Sequence, residues 1–317
     1  MSQASPVPHK YPDTYSVRSV AALMVALIIL AVIGHRVEID RMLTAPSLSA
    51  EGAFAFAGRF LPPQIEEREP LADAAPQPVA WPSRIEHGRV LSEDFDQASG
   101  KIVRVSASQD FLVRPFGYAT LVAIKMLETV EIALWGTVLA VLTGLPLALL
   151  SARVLLPNRI ASHGARLVVA MLRTMPELIT ALLLVAVYGF GPIAGVLALG
   201  LHGAGFLGKF FAEDFANADR KPRDALCAFG AGSVAAWRLA VLPEILPQAI
   251  ASTLYILDRN VRMATVIGLV GAGGIGQELK GRLDLYEYHR VSTILIAIFA
   301  IVLMLDALSA KIRRRLE

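Results

Sequence analysis

Three charged residues, Asp258, Arg259 and Arg262, interrupt a long apolar stretch of the chain. A charge within a membrane-length apolar segment costs about 2.5–3.5 kcal/mol on insertion scales, so such residues usually face the interior of a helix bundle. Arginine also suits oxyanions, because its planar guanidinium group donates paired hydrogen bonds. Three interpretations are open. Asp258 pairs with an arginine, the arginines reach the outer interface, or Arg259 or Arg262 lines the path of an anion.

A second set of polar residues lies in neighbouring apolar segments. Arg173 and Glu177 are four residues apart, which places them on one face of a helix and predicts a mutual or inter-subunit pair. His202 is expected to form a hydrogen bond between helices. The sequence contains no nucleophile with a neighbouring base and no cluster of metal ligands, so we expect no catalytic residue, no metal and no cofactor.

The glycines Gly271, Gly273 and Gly276 match the dinucleotide-binding pattern G-x-G-x-x-G. That site requires a preceding strand and an acidic residue about 20 positions later, but Ile296 occupies this position within an apolar run. We therefore interpret these glycines, with Gly274, as a break in a membrane helix. The run 263–276 is too short to cross a bilayer by itself, and a re-entrant turn at this depth must be buried in protein or line a cavity.

These residues are set in a strongly hydrophobic chain. Of its 317 residues, 55% are hydrophobic and 18% are charged, against about 25% charged residues in soluble domains. We predict an all-α polytopic membrane protein with about six transmembrane helices and, from basic residues beside the apolar runs, both termini in the cytoplasm. The predicted spans are 20–34, 130–150, 167–188, 193–211, 241–270 and 291–308.

The net charge of +3 is not concentrated in a basic stripe with interleaved aromatic residues, which argues against nucleic-acid binding. Cys227 is the only cysteine, so an intrachain disulfide is impossible.

Composition divides the chain into four parts. We predict a cytoplasmic tail at 1–16, an N-terminal anchor at 17–38, an extracytoplasmic insertion at 39–115 and a transmembrane domain at 116–317. An uncleaved anchor is favoured over a signal peptide, because no small-x-small site directly follows the apolar run. Prolines in the insertion predict short helices at most.

A cytoplasmic elbow, residues 218–243, is predicted between two spans, with two short helices separated by Gly230. It resembles the motif of ABC-importer permeases in which E-A-A is followed after three residues by G, and after nine more by I-x-L-P. In this chain Asp224 replaces the Glu, Leu226 replaces the second Ala, and Ala240 replaces the Ile. The resemblance implies that this elbow docks on a cytoplasmic ABC ATPase subunit. The matching residues are Asp224, Ala225, Leu226, Gly230, Leu242 and Pro243.

Three further runs resemble phosphonate-type permeases: 173–178, 201–209 and 260–276. The resemblance covers about 118–317. It implies the MetI-like permease architecture and import of phosphonate or a related phosphorus oxyanion by alternating access across the bacterial inner membrane. It also implies a homodimer embedded in membrane lipid. A periplasmic substrate-binding protein is implied as a further partner. The chain has no G-x-x-x-x-G-K-[ST] loop, so ATP hydrolysis is expected in a partner and not in this chain.

Three alternatives remain. The first is an ABC permease for a different small solute, such as an amino acid. The second is an ATP-independent secondary transporter, which would leave the elbow unexplained and should show inverted repeats. The third is an intramembrane enzyme, for which the sequence offers no convergent acid–base or metal site.

Overall fold

A computed structural model describes residues 17–36, 50–71, 82–96, 101–153 and 158–316. The chain divides into two compact units, and the boundary between Arg59 and Phe60 falls within the predicted insertion. The predicted tail at 1–16 lies outside the described residues. The first unit holds helices α1 (Val17–Arg36) and α2 (Ala50–Gly58).

The second unit is a helical bundle with a small sheet at one end, as the bounds of its elements show. Its strands are β1 (Glu67–Pro70), β2 (Arg84–Asp96) and β3 (Lys101–Arg114). Its helices are α3 (Gly117–Ser151), α4 (Arg159–Thr174), α5 (Glu177–Tyr188), α6 (Pro192–Asn217), α7 (Lys221–Ala228), α8 (Ser233–Ala236), a π-helical segment (Trp237–Val241), α9 (Leu242–Gly268), α10 (Gly274–Asp284) and α11 (Tyr288–Leu316).

The prediction of short helices at most in the insertion is wrong, because residues 67–114 contain an antiparallel sheet of order β1-β3-β2. Strand β3 is rich in β-branched residues such as Ile102, Val103 and Val105, which favour a pleated surface. Pro70 ends the edge strand β1. Its missing N–H does not interrupt pairing with β3, because the Leu71 N–H still donates to the Asp110 carbonyl at 2.8 Å. The described part of the insertion contains no long helix, as its prolines predicted, but prolines do not exclude strands.

The sheet is joined to the bundle at the ends of two long helices. The Gln64 N–H donates to the His289 carbonyl at 3.1 Å, and the Ala119 N–H donates to the Ile65 carbonyl at 3.3 Å. The Thr293 hydroxyl donates to the Gln64 carbonyl at 2.7 Å. The sheet therefore lies where α3 and α11 begin, and we call this the sheet end of the bundle.

The predicted all-α polytopic class is confirmed for the bundle. Among the described residues, four helices are long and apolar enough to cross a membrane: α3, α6, the continuous helix from Val234 to Gly268, and α11. The predicted span 167–188 is instead a pair of helices, α4 and α5, which bend by 90°. The predicted count of six requires this pair and the shorter apolar helix Ala21–Ile33 each to be counted as a span.

The bend between α4 and α5 has a local cause at Pro176. Proline cannot donate the helical hydrogen bond, and it biases the preceding residue towards extended backbone. Met175 accordingly has φ −75° and ψ 124°, and ends α4. Helix α5 then starts in a new direction at Glu177.

Small residues let the helices approach one another closely, as expected where lipid removes the hydrophobic drive for association. A Cβ atom at Gly144 would lie 3.1 Å from the Ala204 carbonyl oxygen, so α3 and α6 are almost in backbone contact. A Cβ atom at Gly205 would lie 2.9 Å from the Arg173 backbone nitrogen, which brings α4 equally close to α6. Helix α6 is thus the packing centre of the described bundle.

The tightest glycine contact joins α9 to α10. A Cβ atom at Gly276 would lie 2.0 Å from the Thr265 carbonyl oxygen and 2.8 Å from the Gly268 Cα atom. These are backbone atoms, which cannot swing aside as a side chain would. The contact holds α10 against the end of α9.

We expect Gly276→Ala to lower the thermal stability of the purified protein and its folded yield in the membrane, because the new methyl group must displace a backbone. Gly281→Ala is the matched control, since Gly281 lies in the same helix with nothing within 4 Å of its Cβ position. The control should keep or raise stability, because alanine favours a helix over glycine by about 1 kcal/mol. Equal melting temperatures for the two variants would contradict the close contact.

Candidate translocation site and docking elbow

A buried polar cluster joins α5, α6 and α9 through Glu177, His202 and Arg259. The Arg259 Nη2 atom donates to the Glu177 carboxylate and lies 3.0 Å from His202 Nε2. His202 Nε2 is also 2.9 Å from Glu177 Oε1. The side chains of Glu177 and Arg259 are only 12% and 24% exposed. The cluster therefore neutralises a largely buried arginine in an apolar bundle.

The Met175 carbonyl defines how the His202 ring can bond. A carbonyl only accepts, so Nδ1 carries the hydrogen and donates to Met175 at 3.1 Å. When the ring is neutral, Nε2 accepts from Arg259; when the ring is protonated, Nε2 donates to Glu177. The expected interhelical hydrogen bond of His202 is confirmed, and it ties α6 to the bend before α5.

The ring of Phe206 contacts two arginines, Arg259 of this cluster and Arg173. The Arg259 guanidinium carbon is 4.7 Å from the ring centroid of Phe206, and that of Arg173 is 5.4 Å away. Both distances are within the range of cation–π attraction. Arg259 Nη1 and Arg173 Nε are buried and have no hydrogen-bond partner among the described residues. Two arginine donors are therefore available at this site.

The predicted mutual pair of Arg173 and Glu177 does not form in the described structure. Their four-residue spacing would place them together only in a continuous helix. The 90° bend at Pro176 separates them, and Glu177 pairs with Arg259 instead. Arg173 turns towards Phe206.

The other two charged residues of α9 form a separate group. Arg262 donates to Asp258 at 2.6 Å and to Asp306 of α11 at 3.4 Å. Of the interpretations left open by the sequence, pairing of Asp258 with an arginine therefore describes Arg262. Arg259 is the member whose guanidinium faces the interior cluster.

The glycine-rich segment after α9 is a turn between two helices. Helix α9 ends at Gly268, and Gly271, Gly273 and Gly274 have φ values of +95°, +86° and +70°. Glycine adopts these angles without the steric penalty of a side chain. Gly276 lies in the first turn of α10, which begins at Gly274.

Two residues of α3 that the sequence analysis missed bind the start of α10. The Gly274 N–H donates to Glu128 Oε1 at 3.0 Å, and the Ile275 N–H donates to the Thr129 hydroxyl at 2.8 Å. Lys125 balances Glu128 at 2.7 Å. A carboxylate at a helix N-terminus satisfies free N–H groups and complements the helix dipole. Glu128 and Thr129 lie 146 residues before these partners, so no local pattern revealed them.

The elbow, residues 218–243, lies at the opposite end of the bundle from the sheet, which we call the elbow end. Asp224, Ala225 and Leu226 lie on α7, while Leu242 and Pro243 open α9.

Gly230 forms the turn of the elbow. It has φ +86°, its N–H donates to the Cys227 carbonyl, and the Ala231 N–H donates to the Leu226 carbonyl. This pair of bonds is the Schellman ending of a helix, which favours glycine at that position.

The elbow presents apolar side chains to its surroundings. Phe229 is 92% exposed and Val234 is 83% exposed. Asp224, on α7, is also exposed.

Two contacts fix the elbow to the long helices. The Phe215 and Trp237 rings are 5.4 Å apart, and the Asp219 N–H donates to Glu244 at 3.0 Å. The elbow is thus a rigid projection with an exposed apolar tip, joined to both α6 and α9.

A family model described as binding-protein-dependent transport system inner membrane component matches residues 144–317. This range contains α4 to α11, including the polar cluster and the elbow. The match therefore covers more than half of the chain.

Curated relatives extend the similarity. A provisionally named phosphite transport system permease protein, HtxE of Stutzerimonas stutzeri, is 49% identical over 80% of this chain and 99% of its own length. The phosphite transport system permease protein PtxC of the same organism is 41% identical over 61% of this chain and 70% of its own length. The phosphate-import permease protein PhnE of Mycolicibacterium smegmatis is 41% identical over 59% of this chain and 35% of its own length.

Solved structures support the fold. An inward-facing form of the MetNI methionine ABC transporter matches with a TM-score of 0.54 and 22% identity, over 63% of this chain and 97% of that chain. An amino acid ABC transporter with histidines matches with a TM-score of 0.54 and 17% identity, over 62% of this chain and 95% of that chain. These similarities establish the MetI-like architecture.

We expect Glu177→Gln to lower the free energy of unfolding by about 3 kcal/mol, because it leaves the buried Arg259 charge without its carboxylate. The double variant Glu177→Gln/Arg259→Gln should recover part of this loss, since it removes the charge as well. Thermal or denaturant unfolding of the purified protein in detergent measures both effects.

Lys280→Gln is the control for the loss of an ordinary ion pair. It breaks the exposed pair with Asp284, 2.9 Å apart, and should change stability by less than about 1 kcal/mol. A Glu177→Gln variant no less stable than this control would show that the cluster does not hold the bend together.

Proposed function

This chain belongs to the family of binding-protein-dependent transport system inner membrane components, and we propose that the cargo it carries across the membrane is a phosphorus oxyanion of the phosphite or phosphonate class. As a member of that family, it is the permease component of an ABC importer and a multi-pass protein of the inner membrane. The observation that carries the substrate proposal is the similarity to HtxE over almost the whole length of that relative. The amino-acid transporters with the same fold are far more distant in sequence.

Among the predicted path residues, we assign anion contact to Arg259. Its Nη1 atom is buried without a partner among the described residues, so a donor is available to an entering oxyanion. Glu177 and His202 orient the guanidinium through the other nitrogen, Nη2. Arg262 is already held by Asp258 and Asp306, which supports a structural role for Arg262 and Asp258.

We propose that a separate ABC ATPase subunit grips the elbow from the cytoplasm and supplies the ATP hydrolysis. Phe229 and Val234 give such a partner an apolar anchor at the tip, and Asp224 gives it a charge. Because the elbow contacts both α6 and α9, closure of the ATPase would move the helices that carry His202 and Arg259. This coupling supports rigid-body alternating access, in which the anion site opens to one side at a time.

The remaining parts of the proposal concern assembly. A periplasmic substrate-binding protein would deliver the anion at the sheet end, and both chain termini would lie in the cytoplasm with the elbow. Two permease subunits would enclose one path. We propose a homodimer, with a heterodimer of two related permeases as the alternative that copurification of differently tagged copies of this chain would distinguish.

We expect Arg259→Lys to raise KM for phosphite uptake by about tenfold or more, because a hydrogen bond to a charged group contributes about 1.5–3 kcal/mol. The charge that faces Glu177 is kept, so ATPase copurification should be unchanged. Uptake is measured in cells lacking other phosphite importers, with the partner ATPase and binding protein co-expressed.

Arg262→Gln is the comparison within the same helix, and its KM should stay close to that of the unchanged protein. If Arg262→Gln raises KM and Arg259→Lys does not, the assignment of the two arginines is reversed. If the unchanged protein imports no phosphite or phosphonate, the substrate proposal is wrong.

We expect Phe229→Asp to abolish copurification of the ATPase and uptake together, because it places a charge at the apolar tip of the elbow. Asp224→Lys should weaken the same complex by reversing the neighbouring charge. Leu285→Asp is the matched control, since Leu285 is 64% exposed and lies outside the elbow. Membrane insertion of all three variants is checked by fractionation. If the ATPase still copurifies with Phe229→Asp, the docking assignment is wrong.

A further inference from the structure

A second concentration of positive charge lies between α3, α4 and α6, in a cavity of about 620 Å³. The ionisable residues that line it comprise five cations and one carboxylate: Arg153, Arg166, Arg173, Lys209, Arg220 and Glu213. Arg220 directly precedes α7, so the cavity opens beside the elbow. A cavity of this size with such an excess of cations attracts anions, because its low-dielectric walls concentrate the field of the charges.

Only some of these cations already have a hydrogen-bond or ion-pair partner among the described residues. Lys209 is 3.4 Å from Glu213, and Arg166 donates to the Ser151 carbonyl at 3.1 Å through Nη2. Arg153 and Arg220 have no side-chain partner among the described residues, and Arg173 has an unpaired buried Nε atom. The undescribed residues next to Arg153, at 154–157, contain no carboxylate. The cavity therefore holds more donors than the described protein groups use.

The packing that assembles the cavity is specific. Arg166 and Arg173 are two helical turns apart and lie on the same face of α4. Gly205 and Gly208 let that face lie against α6: Cβ atoms there would be 2.9 Å from the Arg173 backbone nitrogen and 3.1 Å from Val169 Cγ2. Several like charges are thus held together at a mutual electrostatic cost, which a bound anion would relieve.

From this cavity we infer a second anion site, which binds the tetrahedral oxyanion of a phosphorus compound at the elbow end of the permease. Planar guanidinium groups bind such oxygens in paired hydrogen bonds. The identification of the ligand as a phosphorus oxyanion rests on the proposed function. The evidence for an anion site, which is the positive charge and the unused donors, does not. Two sources supply this chemistry: the free transported anion after passage, and the headgroup of an anionic phospholipid.

Arg173 connects this site to the polar cluster. Its guanidinium and that of Arg259 both contact the ring of Phe206, at 5.4 and 4.7 Å. An anion leaving Arg259 would therefore meet Arg173 next, at the wall of the cavity. The two sites form a continuous series of arginines that leads towards the elbow end.

The experiment uses the purified full-length chain in nanodiscs of neutral phosphatidylcholine, without ATPase or binding protein. Calorimetric titration with phosphite and with inorganic phosphate should give saturable binding. Arg153→Gln/Arg220→Gln should weaken that binding by about tenfold or more, and neither side chain has a partner among the described residues whose loss would destabilise the fold. Lys280→Gln/Arg68→Gln removes the same charge from exposed positions at the sheet end and should leave binding unchanged.

A second arm adds anionic phosphatidylglycerol and measures, by lipid mass spectrometry, how much stays with the protein after detergent exchange. The lipid headgroup is the source if the unchanged protein binds no free phosphite or phosphate and if Arg153→Gln/Arg220→Gln retains less phosphatidylglycerol than the unchanged protein. Unaltered binding of both free anion and lipid in that variant overturns the site. So does phosphite binding that is lost in Arg259→Lys but kept in the cavity variant.

The binding assay also separates this inference from the proposed function. Failure of phosphite import by the complete transporter would overturn the substrate proposal and leave cavity-dependent binding standing. Normal import by a chain whose cavity binds neither anion nor lipid would overturn the inference alone.

Discussion

The structure depends on one constraint: within an apolar bundle, each polar group must be satisfied by another part of the protein. The ion pair of Glu177 and Arg259, joined by His202, meets this constraint for three helices at once. Glu128 and Thr129 meet it for the N–H groups at the start of α10, which have no partner within the helix. The chain can therefore bend at Pro176 and turn after Gly268 without leaving bare backbone in the bundle interior.

The same contacts connect the parts that must move together in a transporter. Helices α6 and α9 contribute His202 and Arg259 to the cluster. They hold the elbow through the Phe215–Trp237 ring contact and through the hydrogen bond from the Asp219 N–H to Glu244. Glycine contacts along α6 leave little free volume for independent sliding. Displacement of the elbow would thus be transmitted to the polar cluster as motion of whole helices, which is the mechanical requirement of the proposed alternating access.

The constraint is not met at two arginines next to Phe206. Arg259 Nη1 and Arg173 Nε are both buried and unpaired among the described groups, and both guanidinium groups contact the ring of Phe206. Beyond Arg173, the basic cavity adds further donors. An importer of phosphorus oxyanions needs positive groups that are not permanently neutralised by carboxylates, because a fully paired arginine has little to offer a passing anion. The proposed path and second site follow these unused donors.

The sequence by itself determined the polytopic helical class and the permease family, because apolar run length and motif spacing are local properties of the chain. It also indicated a break near Gly271, since glycine-rich turns depend on neighbouring residues alone. Only the tertiary structure decided which charges meet. Glu177 pairs with Arg259, 82 residues away, and not with Arg173, because the bend at Pro176 redirects α5. The strands between Glu67 and Arg114 were likewise missed, because pairing of extended segments depends on partners that no single segment specifies.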